Sequence, residues 1–473
     1  MSRALLLALL ALAGALPARA LEASAAKVDI TPDLKTEKVW LAGFGAKGRR
    51  PTGVHDPLYA RVVLLREGNK TVALVGLDLL GFYLNDTRAL RARWEKSDPS
   101  RRLFVHATHT HSGPDTLGLW GPAVGRSGIN RAYMDRIEGR IVEALALLEA
   151  QLRPVTAAGG HGTLDPRGLC RDLRDPVVID PNLAVLRLNG ADGKAVATIV
   201  NWSCHPEVIG RENMLITADY PGPLCARIEE KTGGQCLFLN GVIGGLMSPD
   251  AKAENFYETA RIGAAVADAA LALKTAPGGR GLAYRFENVM VPVENSRYLL
   301  FLYALTAGHT LHAADGAPLA AWRAWPLSLR HLLFGLSASR RPFIETEVSV
   351  LDVGPARLLG MPAEVFPELA IGGYDGKYSF GQPRVTPDVA RDLKDSPKGP
   401  YLRDLIKAPV PMIVGLANDE LGYLVPEYDF KVRTSKSLLP RWPGHYEETN
   451  SIGRSATAIL TSAAARLLKE PRP

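Results

Sequence analysis

Cysteine is scarce in this chain: Cys170, Cys204, Cys225 and Cys236 are the only four among 473 residues. No two of them form a C-x-x-C pair, which excludes a thiolate zinc knuckle. The spacing of Cys225 and Cys236 suits a small disulfide loop, but connectivity is not readable from the sequence. Beyond the N-terminus no apolar, charge-free run reaches the roughly 20 residues a bilayer-spanning helix needs. No segment repeats with a period of roughly 20 to 50 residues, so a solenoid or propeller is excluded. The formal charge is +7 and the pI about 9.1, yet the basic residues are scattered, with small clusters at 47–50, 340–341 and 431–441. No basic helix or basic-aromatic comb points to nucleic acid. Charged residues make up 22% against 47% hydrophobic, which predicts a large packed core rather than a disordered chain.

What is present begins with a leader. Ser2 and Arg3 precede an apolar run over residues 4–16, followed by Pro17-Ala18-Arg19-Ala20. A basic n-region, a short apolar core and an A-x-A site predict a secretory signal peptide over residues 1–20, cleaved after Ala20. The expected location is therefore secreted, periplasmic or extracellular, and the mature domain runs over 21–473. Along that domain, strand-length apolar runs alternate with helical periodicity. Strands are predicted over 61–65 and 72–80 around Glu67-Gly68-Asn69, then over 103–110, 183–188, 195–202 and 236–239. Helices are predicted over 87–96, 130–152, 223–231 and 258–273, with Ile137, Ile141, Ala144 and Leu148 on one face of the second. Residues 284–293 and 345–359 are again strand-rich. The fold class is α/β: mixed β-sheets flanked by helices in a single large domain. Residues 296–341, rich in Leu, Ala, Trp and His, read as a helical insertion between the last two strand-rich stretches, supplying an apolar rim.

The most informative string is His106-Ala-Thr-His109-Thr-His111-Ser-Gly-Pro-Asp115. If residues 103–111 are extended, His109 and His111 share a face and His106 takes the other. Neutral imidazole is a good zinc ligand, so two at the mouth of a buried strand suggest a metal site. A second apolar strand, 195–202, leads into Ser203-Cys204-His205-Pro206-Glu207, placing His205 at another strand mouth. Catalytic zinc usually takes three protein ligands and a water. A carboxylate would complete the set, and spacing alone leaves Glu364, Asp219 and Glu207 open.

These residues resemble the neutral/alkaline non-lysosomal ceramidases, in their N-terminal catalytic domain. Thr108 to Pro114 matches the T-H-T-H-S-G-P motif of that family, and His205-Pro206 matches its second histidine. Pro362-Ala363-Glu364 resembles its P-G-E motif, Gly415-Leu-Ala-Asn418 through Tyr423 its G-L-x-N…Y segment, and Tyr446-Glu447 to Ser455 a later Tyr-Glu pair and serine turn. The order is kept from Asp29-Ile-Thr-Pro32 onward. The resemblance implies one Zn2+ per chain, held by His109, His205, Glu364 and Tyr423. It also implies that His111, an arginine and a second tyrosine hold the scissile carbonyl. Arg171 and Tyr446 match best, with Arg174 and Arg167 as competitors for the arginine. Where the family has G-D-V-S-P-N, this chain keeps Ser248, a nucleophile candidate, but carries Leu246 at the aspartate position.

The implied activity is zinc-dependent hydrolysis of an amide bond in an N-acyl lipid, ceramide in particular, with peripheral contact to a membrane surface. His111 and Tyr446 both remain open as the proton donor to the leaving amine. The alternatives are a zinc hydrolase acting on another amide or ester, such as an envelope lipid or wall fragment, a Ser248 nucleophile enzyme, and a non-catalytic lipid-binding relative.

Overall fold

The computed structural model describes residues 20–279, 281–300, 306–334, 341–382, 393–432 and 445–472. The expected signal peptide and parts of the 296–341 insertion lie outside these residues.

Two large sheets form the frame. The first runs through β1 (Glu22–Asp29), β2 (Tyr59–Glu67), β3 (Lys70–Leu77), β4 (Arg101–Ala107), β5 (Arg153–Thr163), β6 (Asn182–Gly190), β7 (Ala195–Trp202) and β8 (Gln235–Asn240). Their order across the sheet is β8-β7-β6-β5-β1-β2-β3-β4, and Ala276–Pro277 pairs with β5 to make nine strands. The end pairs β8/β7 and β3/β4 are parallel, and the rest are antiparallel. The second sheet contains β9 (Leu282–Pro292), β10 (Phe343–Val353), β11 (Ala356–Gly360) and β12 (Val410–Val414). There β9 pairs with β10 over its whole length, and β11/β12 is parallel.

Side-chain alternation on β2 explains the layering. Val63 and Leu65 face the second sheet, in a core with Leu74, Phe104, Ile199, Leu237, Leu351, Leu358 and Met412. Val62 and Leu64 face the other way, against Tyr133, Ile137, Ile141 and Leu145 of helix α2 (Arg131–Glu149). Helix α1 (Leu84–Glu95) contributes Leu90 and Trp94 to that layer. Helices α3 (Pro221–Thr232) and α4 (Phe256–Ala272) cover the same outer face further along, with Leu224, Ile228, Ile262 and Val266. On the far side, Leu460, Ala463 and Leu467 of α6 (Ser455–Lys469) pack on β9 and β10. A strand buried on both faces cannot show polar alternation, which is why these runs are continuously apolar. The result is helix, sheet, sheet, helix.

The first sheet curls until its ends meet. Leu237 of β8 packs directly over Gly76 of β3: a Cβ there would fall 2.5 Å from the Leu237 Cδ1 and displace that methyl. His106 closes the seam: its Nδ1 contacts the Gly415 carbonyl at 3.0 Å and its Nε2 accepts from the Asn240 backbone at 2.9 Å. The carboxyl ends of β4, β7, β8, β11 and β12 thereby open on one region.

The 296–341 segment is the long connection of the β9/β10 hairpin. It is only partly helical: Ser296–Leu300 and α5 (Ala321–Phe334) flank a small strand pair, Leu311–His312 with Pro318–Leu319. Helix α1 starts at Leu84, three residues earlier than the apolar pattern suggests, because Asp419 accepts from the Leu84 backbone at 3.0 Å.

Candidate metal centre

The three histidines converge, but not by strand alternation. Strand β4 ends at Ala107, and His109 lies beyond it with a φ of +72°. Left-handed backbone at a non-glycine residue is costly and persists where surrounding structure imposes it. Here the His109 N–H donates to Leu79 O at 2.9 Å, and its Nδ1 contacts Leu80 O at 2.7 Å. The ring is therefore held from the end of β3 with Nε2 turned inward. His205 follows β7, its backbone N–H bonded to Met247 O at 2.7 Å and its Nδ1 contacting the same carbonyl at 3.0 Å. The Leu80 and Met247 carbonyls orient both imidazoles, a role that leaves no mark in a sequence because every residue carries a carbonyl.

The ring centroids of His109 and His205 are 5.1 Å apart, and those of His109 and His111 5.0 Å. One ring nitrogen from each of His109, His111 and His205 lies within 4.8 Å of the other two, and all three residues are buried. Glu364 completes the group, its Oε2 3.0 Å from His205 Nε2 and 3.8 Å from His109 Nε2. It sits in a two-residue parallel bridge, Glu364–Val365 against Tyr423–Leu424, with the helix starting only at Pro367. That bridge sets Glu364 and Tyr423 side by side, and Tyr423 hydrogen bonds the carboxylate.

The protonation states fit a cation. Burial lowers His109 to about 4, and burial, reinforced by the other two imidazoles and Arg49, lowers His111 well below the usual range. Burial pushes Glu364 up, but His109, His205 and the Tyr423 hydrogen bond outweigh it and keep it an anion below its ordinary value. Burial pulls His205 down, yet its contacts with Glu364, Glu207 and Met247 win and hold it above the usual value. Two neutral imidazoles, a third that can give up its proton to a cation, and a carboxylate make a donor set suited to a divalent transition metal.

The remaining candidates sort clearly. Tyr446 stacks edge-on against Tyr423 at 5.9 Å, and burial raises its hydroxyl to about 12. Arg171 pairs in register with Ser248 across a short antiparallel bridge, which puts their side chains on one face. Ser248 Oγ donates to Glu207 Oε1 at 2.5 Å, and Glu207 Oε2 lies 3.3 Å from His111 Nδ1. Arg171 is thereby placed beside Ser248, one contact removed from Glu207. Arg174 is enclosed by Glu368, Asp429 and Glu447. Arg167 pairs with Asp165 on the surface. Asp219 takes backbone N–H groups of Ile209 and Tyr220, so it caps a loop. Leu246 packs beside Phe366 and Tyr423. Glu420, for which the sequence carries no distinguishing signal, is buried near Glu364, and burial and that charge raise its carboxyl well above the ordinary range.

No family model matches the chain. Over 240 residues, 46% of this chain, the sequence is 26% identical to the neutral ceramidase of Pseudomonas aeruginosa. That stretch spans 36% of the relative's length. The fold overlays on the crystal structure of neutral ceramidase from Pseudomonas aeruginosa with a TM-score of 0.65 and 18% identity, over 96% of this chain and 76% of the other. A second structure, described as ceramidase complexed with C2, gives a TM-score of 0.65 and 18% identity over 95% and 75%. At such identity the structural likeness is one of fold.

Proposed function

The chain is a relative of the neutral ceramidases, and on that premise we propose that it is a zinc-dependent hydrolase of the amide bond in an N-acyl lipid such as ceramide. The observation carrying this reading is the convergence of His109, His205 and Glu364, from the ends of three different strands, in one buried pocket. In our reading these three and Tyr423 hold the ion. Zinc bound by these residues would supply Lewis acidity for hydrolysis near neutral pH. Arg171 and Tyr446 present hydrogen-bond donors toward a carbonyl, where losing one donor commonly costs about 3 kcal/mol. Tyr446 keeps its proton at neutral pH, its hydroxyl standing at about 12, and so can give it to the leaving amine. Ser248 is assigned a supporting part rather than nucleophilic attack, because its hydroxyl is bonded to a carboxylate and not to a basic imidazole. Peripheral membrane contact belongs to the same proposal, supported by the exposed apolar residues of α5.

The test is turnover of N-acyl-sphingosine by chelated and zinc-loaded protein, alongside a screen of other amides and esters. Chelation should abolish activity and zinc restore it, and His109→Ala should lower turnover by roughly 10³-fold or more, since metal polarisation contributes several kcal/mol. Equal rates with and without the metal would remove the proposal. A zinc-dependent rate confined to another amide or ester would keep the chemistry and change the substrate.

A further inference from the structure

We propose that Glu207 is a positioning residue that fixes which ring nitrogen of His111 faces the metal pocket, with Ser248 anchoring Glu207; this rests on the hydrolase reading above.

Packing settles where the His111 ring lies. Its backbone N–H donates to Pro206 O at 3.1 Å, and its carbonyl accepts from Arg49 Nη2 at 2.7 Å. Gly43, at φ +96°, lies so close that a Cβ there would fall 2.4 Å from His111 Cγ. Phe44 meets the ring edge-on at 4.8 Å. His109 and His205 close the other side, with His205 at a centroid distance of 5.6 Å. None of these contacts distinguishes the ring from its half-turn about Cβ–Cγ. Such a flip exchanges a nitrogen for a carbon at nearly constant shape, so only a hydrogen-bond partner can choose.

Glu207 is that partner. Its Oε2 lies 3.3 Å from His111 Nδ1, a close polar contact that stops short of hydrogen-bond geometry in this structure. An ionised carboxylate only accepts, so Nδ1 carries the proton and Nε2 keeps its lone pair. Among the described residues neither ring nitrogen of His111 completes a hydrogen bond, and with Nδ1 facing Glu207 the ring has its Nε2 left for the pocket. The other oxygen of Glu207 takes the Ser248 hydroxyl at 2.5 Å, which restricts rotation of the carboxylate. With both oxygens engaged in this way, Glu207 is not the carboxylate that meets His109 and His205; Glu364 is. The consequence for the reaction is specific: in its neutral form His111 accepts a proton at Nε2, and the donors to the substrate carbonyl are Arg171 and Tyr446.

Two measurements on the zinc-loaded protein decide the matter. The first is the tautomer of His111, read from two-bond 15N–1H correlations of 15N-histidine-labelled protein, with the signal assigned by its loss in His111→Asn. We expect an Nδ1-protonated ring in the parent and a mixed or Nε2-protonated ring in Glu207→Ala. A parent ring protonated on Nε2, or a tautomer indifferent to Glu207→Ala, overturns the inference. The second is kinetics on an N-acyl amide. Glu207→Ala should lower kcat by about 10- to 100-fold, the usual cost of losing a partner that orients a site imidazole, while KM stays within about twofold and zinc content is unchanged. Glu207→Gln, which keeps an acceptor oxygen and the side-chain shape, should recover about tenfold of that loss. Loss of zinc in Glu207→Ala would instead make Glu207 a ligand. Should the parent protein turn over no acyl amide, the hydrolase reading falls, while the tautomer experiment still decides whether Glu207 orients His111.

Discussion

Arg174 shows how a single buried charge can be mistaken for a substrate contact. Its guanidinium meets Glu368 at 3.2 Å and Glu447 at 2.8 Å, and also pairs with Asp429. Glu447 follows Tyr446, Glu368 lies in the short helix just after Glu364, and Asp172, whose charge also acts on Arg174, follows Arg171. One cation thus fastens three stretches that carry site residues. Removing it leaves several buried carboxylates without their counter-charge, even though burial already lifts Glu368 to about 7. Breaking one side of a buried ion pair costs about 3–5 kcal/mol. Arg174→Met should therefore lower the stability of the protein by that amount in a urea titration. Unchanged stability with lost turnover would make Arg174 a substrate contact after all. The resemblance favoured Arg171 but left Arg174 and Arg167 as close competitors, because a sequence records that an arginine is present and not what surrounds it.

Helix α5 carries the clearest unspent feature at the level of elements. Trp322, Leu329, Leu333 and Phe334 are exposed on it, Trp322 by 72% and Phe334 by 79%, next to exposed Arg323 and Arg330. Aromatic and leucine side chains beside arginines, with no acidic residue in the helix, suit the boundary of an anionic bilayer. A triple change of Trp322, Leu333 and Phe334 to serine should weaken co-sedimentation with phosphatidylserine vesicles by at least about tenfold, each side chain contributing on the order of 1.5–3 kcal/mol when buried. Turnover of a short-chain, water-soluble amide should stay as in the parent. Equal vesicle binding by both proteins would count against membrane contact. The strands illustrate how far the residue pattern reaches. The turn at Glu67-Gly68-Asn69 and the buried strands on both sides were legible, because two apolar faces and a glycine at φ +66° leave few alternatives. The position of His109 was not: the pattern extended β4 through residue 110, whereas the strand stops at Ala107 and the ring arrives through a left-handed residue held by Leu79 and Leu80. Local alternation cannot anticipate a backbone conformation imposed by a neighbouring strand.

Across the whole molecule, metal and protons compete for one constellation. His205 holds its proton above the usual value through Glu364, while His109, at about 4, is already neutral at any pH of interest. In the metal-free protein the His205–Glu364 contribution is complete below the unfolded value of about 6.5 and fades as pH rises through the raised folded value. On the zinc reading proposed above, the ion would have to displace that same proton, so its affinity should rise over the same range. The melting-temperature gain on adding zinc should therefore increase from pH 6 to pH 8, each tenfold gain in affinity adding about 1.4 kcal/mol at saturating metal. A gain that stays flat or shrinks with pH, measured by calorimetry on chelated and reloaded protein, would contradict the assignment of His205. The sequence by itself determined the α/β class, the strand and helix inventory in outline, and the imidazoles as candidate ligands, because apolar periodicity and residue chemistry are local properties. Only the tertiary structure decided that the first sheet curls until β4 and β8 meet at His106, which glutamates stand beside the histidines and which arginine stands beside Ser248. Those outcomes depend on packing between segments far apart in the chain, from about 40 to more than 130 residues, and no local pattern encodes a distance across the core.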